Sequence, residues 1–406
     1  MKHQIKIAGV LLASVLLSGC FSWSNPFSNP FSSASKEPSK ADKGTAEVVG
    51  FVEPQTKEPT GLTRIWKESV ASSPSKHHQH PDQIVVAEAD IFVGTFQGRV
   101  VRLNRENGRV LWEVEAGDHV TGGVAVEGSR VFAGTKSGEM VALARDTGKE
   151  LWRSELSAPV VSAPEAGNGK VLFLTLDSRT YALNSEDGKR LWTHSTPPET
   201  LVIMGGATPT IDGRVAYVGY SSGDVFALSL ENGVPLWVAN LSVSGGGRSE
   251  LDRLQDVSAR VVTSREGDAS ATKRVYAVNH QGRAVALQPR DGSKIWEHKL
   301  SAIRRPWLAG SQLFFSDMDG YVVALDAGNG LEMWRTRVSD GLLTAPVVVG
   351  SKVLVADNRG RLMTLEETTG RVVGMDRGDA ILADPVVVDK SVFLWTNEGN
   401  LLRYDF

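Results

Sequence analysis

The stretch GEMVALARDTGKELW, residues 138–152, carries a short apolar run from Met140 to Ala144, turns at a glycine and ends on a tryptophan. Short runs of this kind, bounded by polar Gly-containing turns, argue for β-strand rather than helix, and a turn closing on Gly148 joins this one to a second strand that carries Trp152. The same pattern recurs as GRVVRLNRENGRVLW at 98–112 and GYVVALDAGNGLEMW at 320–334. Strand starts fall at Gly98, Gly138, Ser178, Gly223, Gly282, Gly320, Gly360 and Gly399, with spacings of 40, 40, 45, 59, 38, 40 and 39 residues. A period near 40 residues with several short strands per unit predicts a β-propeller of eight units.

Tryptophans follow at 112, 152, 192, 237, 296 and 334, and the seventh unit places Gly374 where the next would stand. Trp66 precedes the first unit, and the eighth stops at Phe406 without one. The expected join is circular, with the Trp66 strand completing the C-terminal blade and removing the open sheet edge. The tryptophans are expected to bury blade against blade. Ala142, Ala182, Ala227, Ala286 and Ala324 mark positions with room only for a small side chain. Prolines 164, 209, 346 and 385 mark entries to innermost strands, where no N–H is needed. The fold class is therefore all-β, an eight-bladed propeller of four-stranded blades over residues 61–406.

Residues 1–19 carry Lys2, His3 and Lys6 before an apolar run too short to span a bilayer, the form of a secretory signal. Cys20 is the sole cysteine of 406 residues and follows Leu17-Ser-Gly. This resembles the lipobox of bacterial lipoproteins, which implies cleavage before Cys20 and its acylation. Phe21, in place of an aspartate, implies the periplasmic face of the outer membrane. Residues 20–60, rich in Ser, Pro and Lys, are expected to form a tether. With 44 Lys and Arg against 47 Asp and Glu, and no basic stripe, nucleic acid is excluded as a partner.

The repeat A-L-x-x-x-x-G-x-x-x-W resembles that of the pyrroloquinoline-quinone propellers, which include quinoprotein alcohol dehydrogenases and the non-enzymatic BamB family of lipoproteins. The dehydrogenase likeness would imply calcium, an aspartate base and often a vicinal disulfide, and a chain with one cysteine cannot form the last. Its carboxylates, Asp146, Asp187 and Asp291 among them, sit in turns where side chains bond the local backbone. No catalytic residue, cofactor or metal is expected. A peptide or sugar receptor using the propeller mouth is a further reading.

Departures from the period point elsewhere, because insertions in repeat folds map to loops and loops carry function. The unit ending at Trp237 is about five residues too long, the surplus lying in 194–207 around the apolar Leu201, Val202, Ile203 and Met204. The next is about nineteen too long, partly in 245–257 and partly in 264–273. Residues 249–257 resemble the S-E-x-D-R-L-x-D-V stretch of the BamB family, matched by Ser249, Glu250, Asp252, Arg253, Leu254, Asp256 and Val257. Met204 stands where that family often has arginine and Ser258 where it often has aspartate. The resemblance implies that Leu201, Ile203, Met204, Asp252, Arg253 and Asp256 contribute to docking on the POTRA domains of BamA, within the BAM complex, with unfolded barrel precursors as further partners. A longer hairpin with a local salt-bridge network is the alternative for these residues. The His77, His78 and His80 group reads as a solvated loop rather than a zinc site. Arg304 and Arg305 read as a rim or blade-top loop, and Trp307 as lining the mouth or packed in the core.

Overall fold

A computed structural model describes residues 51–54, 56, 58–71, 84–197, 207–242, 256–264, 273–381 and 383–406. The signal segment, Cys20 and the histidines at 77, 78 and 80 lie outside them. Among the described residues, thirty-two strands form eight antiparallel four-stranded sheets. The first blade is β2 (Ile84–Ala87), β3 (Asp90–Gly94), β4 (Arg99–Asn104) and β5 (Val110–Glu115), hydrogen-bonded in that order. The eighth is β30 (Val386–Val388), β31 (Ser391–Trp395), β32 (Asn400–Asp405) and β1 (Thr63–Ser69). Trp66 pairs with Arg403 across that last ladder, so the two ends of the chain close the ring as the repeat predicts.

The first strand of each blade faces the axis. Five successive ones, β30, β2, β6 (Val120–Glu127), β10 (Glu165–Gly167) and β14 (Thr210–Asp212), lie side by side, and β22 (Trp307–Ala309) and β26 (Val347–Val349) continue the series to β30. Prolines 164, 209, 346 and 385 immediately precede β10, β14, β26 and β30, and Pro306 precedes β22 in the same way. The hydrophobic core is divided into eight clusters, each shared by two neighbouring blades. Ile91 and Val101 of blade 1 meet Phe393 and Leu401 of blade 8 in the one that seals the ring.

The glycine and tryptophan of the repeat act together across this junction. Trp112 of blade 1 donates its indole N–H to the Arg145 carbonyl in the turn of blade 2 at 2.8 Å. Gly148 of that turn has φ +70°, and a Cβ there would meet the Trp112 ring at 3.1 Å, so only glycine meets both demands. Trp66, Trp152, Trp192, Trp237, Trp296 and Trp334 each donate to the next blade's turn in the same manner. The small residue is explained by register: Ala142 lies directly opposite Trp152, Ala286 opposite Trp296, and Ala324 opposite Trp334. A third residue, Phe132, Tyr276 or Phe314, stands beyond each alanine, and its ring packs 5.8–6.0 Å from the tryptophan ring. Blades 1 and 8 carry Arg102 and Arg403 at the alanine position, and each guanidinium donates to the next blade's turn carbonyls.

Gly374 has its own cause. Blade 8 has no turn between its last two strands, since those strands are the chain's two ends, so a tryptophan in blade 7 would find no glycine to pack beneath. The segment 58–60 occupies that place instead: a Cβ on Gly374 would meet the Pro59 carbonyl at 2.4 Å, and the Glu58 carbonyl accepts Met375 N–H at 2.9 Å. Thr60, 1 % exposed, hydrogen-bonds the Asp376 carboxylate. Upstream, the Phe51 ring lies under the guanidinium groups of Arg361 and Arg337 at 5.3 and 5.4 Å, and Glu53 pairs with Arg377 at 2.6 Å. The packed unit thus begins at Phe51 rather than residue 61. Its first ten residues read as tether because they lack strand periodicity.

Candidate docking surface

The two overlong connections leave the same face of the ring. One runs from β13 (Arg190–Ser195), the last strand of blade 3, to β14, and the other from β17 (Pro235–Asn240), the last of blade 4, to β18 (Val262–Thr263). In an antiparallel four-stranded blade the connection from fourth to first strand emerges on the side that carries the turn between strands two and three. The third insertion, between β18 and β19 (Val275–Val278), joins strands one and two and belongs to the opposite face. Leu201, Ile203, Met204, Asp252 and Arg253 lie outside the described residues. Asp256 is described, and it is 1 % exposed, with its carbonyl accepting His280 N–H at 3.0 Å. Its carboxylate therefore sits below the surface, at the foot of the second connection.

Both feet meet at one residue, whose side chain binds the first and whose backbone carbonyl binds the second. Tyr220 occupies the turn between β15 (Val215–Gly219) and β16 (Asp224–Ser229). In six other blades this position is Thr, Asn or Asp, and its side chain accepts the N–H four residues on: Thr95, Thr135, Asn279, Asp317, Asp357 and Thr396. Tyr220 sends its side chain elsewhere. Its hydroxyl lies 2.9 Å from His194 Nδ1 and 2.5 Å from Thr180 Oγ1, and its carbonyl accepts Val257 N–H at 3.2 Å. His194 ends the blade that feeds the first connection, and Val257 ends the second. Burial pushes the Tyr220 phenol well above its ordinary pKa, with the Thr180 bond opposing it, so the group is a neutral hydrogen-bonding post. Phe226 completes the pocket, its ring 4.8 Å from the His194 ring. Burial holds His194 below its usual range, as it does His280 at the foot of the second connection.

Around these feet the packing is dry. Ala207, Leu241, Val257 and Ala259 are buried, Thr210 Oγ1 donates to the Val261 carbonyl at 2.6 Å, and Asn279 Nδ2 donates to the Leu241 carbonyl at 2.9 Å. The connections thus rise from a rigid base, the arrangement that lets loops present contacts at low ordering cost. Among the described residues, no group of three or more His, Cys, Asp and Glu converges closely enough to hold a metal ion. The turn carboxylates behave as expected at Asp187 and Asp291, which accept the N–H of Lys189 and Ser293 at 3.1 and 3.0 Å. Asp146 differs: its carboxylate faces Arg102 of the neighbouring blade at 3.7 Å.

Arg304 and Arg305 are not a rim. Arg304 is 5 % exposed, and Arg305 lies half-buried on the axial side of blade 6 with its guanidinium over the Trp307 ring at 5.5 Å. A charged pair reads as surface by composition, and only the short approach to β22, fixed by Pro306, turns it inward.

Comparison with known proteins agrees with this frame. The model of the family described as outer membrane protein assembly factor BamB matches residues 96–336 and 318–406. The assembly factor BamB of Pseudomonas aeruginosa is 39% identical over 405 residues, covering 99% of each chain. The crystal structure of BamB from Moraxella catarrhalis superposes with a TM-score of 0.76 at 22% identity, covering 85% of this chain and 100% of that one. The quinohemoprotein alcohol dehydrogenase of Comamonas testosteroni shares the propeller at a TM-score of 0.67 and 14% identity, with 76% of that chain covered. At those identities both structural likenesses speak to the fold alone, whereas the relationship to the Pseudomonas protein spans the whole sequence. The chain belongs to the BamB family of outer membrane protein assembly factors.

Proposed function

We propose that this chain is a non-enzymatic scaffold of the outer-membrane β-barrel assembly machinery, anchored through lipid on Cys20 at the periplasmic face of the outer membrane. It docks on the POTRA domains of BamA through its two overlong connections and helps that machinery receive unfolded barrel precursors. The observation that carries the reading is that two adjacent blades send their overlong connections from one face, with the Tyr220 side chain tying the foot of the first and its carbonyl, as at the equivalent turn of other blades, the foot of the second.

Apolar residues supply the affinity in this reading. Leu201, Ile203 and Met204 form the anchor, since exposed ion pairs contribute only about 0–1 kcal/mol while buried apolar side chains dominate interface energetics. Asp252 and Arg253 set orientation, and the buried Asp256 holds the second connection at its base. Acyl chains on Cys20 contribute about 0.8 kcal/mol per buried CH₂, enough with more than one chain for stable membrane attachment. Affinity purification of the chain from solubilised outer membranes tests the assignment. Recovery of BamA is the expected result. Purified chain without BamA, together with quinone-dependent dye reduction, would replace the scaffold with an enzyme.

A further inference from the structure

At the centre of the ring, the first strands line an open recess of about 270 Å³. Its walls are apolar where blades 1 and 2 supply Val85 and Val124, and charged where Glu165, Arg260, Arg305 and Asp384 enter. The charges do not cancel. Arg260 pairs with Glu165 at 2.7 Å. Arg304 stands behind Asp384 at 3.8 Å, and Asp384 already accepts the Ala345 N–H at 2.8 Å. Three guanidinium groups therefore meet two carboxylates, and among the described residues Arg305 has no carboxylate partner.

Hydrogen bonding carries the same imbalance. Arg305 is held by its stacking on Trp307 and by a long bond of 3.5 Å from Nη2 to the Pro385 carbonyl, while its Nε is buried with no acceptor. Nε and Nη1 of Arg304 are also buried without an acceptor. An unfilled buried donor on a charged group is costly, and Arg305, which lines the recess, and Arg304, which stands behind Asp384, carry three such donors between them. A planar fork of N–H donors with an excess positive charge is the group that recognises oxyanions.

We propose that the axial recess is a binding site for a small oxyanion, a phosphate or a carboxylate, held by Arg305 with the charge of Arg304 behind it. Asp384 keeps Arg304 in place, and the Arg260–Glu165 pair opposite leaves the site with a single net positive charge suited to one anion. The site stands apart from the docking connections and does not depend on their role.

Isothermal titration of the full mature chain in detergent, at low ionic strength, with inorganic phosphate in one arm and acetate in the other tests this. Arg305→Gln removes the uncompensated charge, and Arg290→Gln, at a residue whose side chain is 92% exposed, controls for nonspecific attraction. Saturable binding in either arm, weakened at least tenfold by Arg305→Gln and unchanged by Arg290→Gln, is the expected result, and the responding arm identifies the class of oxyanion. Thermal unfolding run in parallel should show a rise in midpoint with the same anion for wild type and Arg290→Gln only. No saturable heat in either arm, or equal binding by Arg305→Gln, overturns the proposal.

Discussion

The Tyr220 hydroxyl and His194 Nδ1 lie 2.9 Å apart, joining the turn of blade 4 to the last strand of blade 3 at the foot of the first overlong connection. The same residue's carbonyl holds Val257, so a single turn serves both connections. Tyr220→Phe keeps the ring in its pocket and deletes two side-chain hydrogen bonds. Loss of about 1–3 kcal/mol in urea unfolding is expected, with weaker binding to the POTRA domains and an intact β-sheet spectrum by circular dichroism. Thr95→Val, at the equivalent turn of blade 1, should destabilise without changing binding.

Acidity should act through His194. Its folded pKa lies below the ordinary 6.5 because burial disfavours the imidazolium, and its neighbours Tyr220, Thr180 and Phe226 supply no charge to offset this. Such a group takes up a proton more readily when unfolded, so its contribution is intact above pH 6.5 and falls away as the pH drops through its folded pKa. Urea midpoints at pH 7.5 and 5.5 should therefore differ less in His194→Gln than in wild type. An equal difference in both would remove His194 as a source of acid sensitivity.

Blade junctions should be sensitive at their tryptophans and tolerant a single residue away. Trp296 is 7% exposed and, with the Tyr276 hydroxyl, donates to the Ala327 carbonyl, at 3.0 and 3.1 Å. Trp296→Ala should cost about 3–5 kcal/mol in chemical denaturation. Leu331→Ala, at a residue 67% exposed in the following turn, should change stability by no more than about 0.5 kcal/mol.

The segment before residue 61 should behave as part of the propeller. Thr60→Val preserves shape but removes the hydroxyl bonded to Asp376, and a loss of about 1.5–3 kcal/mol is expected for a hydrogen bond to a charged group. Deleting residues 51–60 should lower the thermal midpoint further, because Gly374 is then left uncovered. An unchanged midpoint in the truncated chain would mean the strap adds no stability.

Much of this architecture is legible in the repeat itself. Gly148, Ala142 and Trp152 recur because each blade uses the same cross-strand register and the same turn packing, so period, blade count and closure by Trp66 all follow from them. The substitution of residues 58–60 for the seventh tryptophan is not legible, since it arises from where the chain breaks and leaves no periodic trace. Tyr220 was visible as a departure from the Thr, Asn and Asp found at its position in six other blades, yet it lies in a turn of ordinary length, away from the inserted residues, and does not interrupt the strand pattern. The axial placement of Arg304 and Arg305 depends on the direction of a short entry segment, which charge content alone does not encode.

Calorimetric binding of the mature chain to isolated BamA POTRA domains bears most directly on the docking role. Leu201→Asp places a charge in the apolar anchor, and Leu331→Asp places one on the exposed turn of blade 6 as a control. Asp256→Ala is a poor probe of contact because that carboxylate is buried and its loss unsettles the base. Saturable wild-type binding, at least tenfold weaker for Leu201→Asp and unchanged for Leu331→Asp, is the expected result. Absence of wild-type binding, or equal binding by Leu201→Asp with the fold retained, would contradict the account.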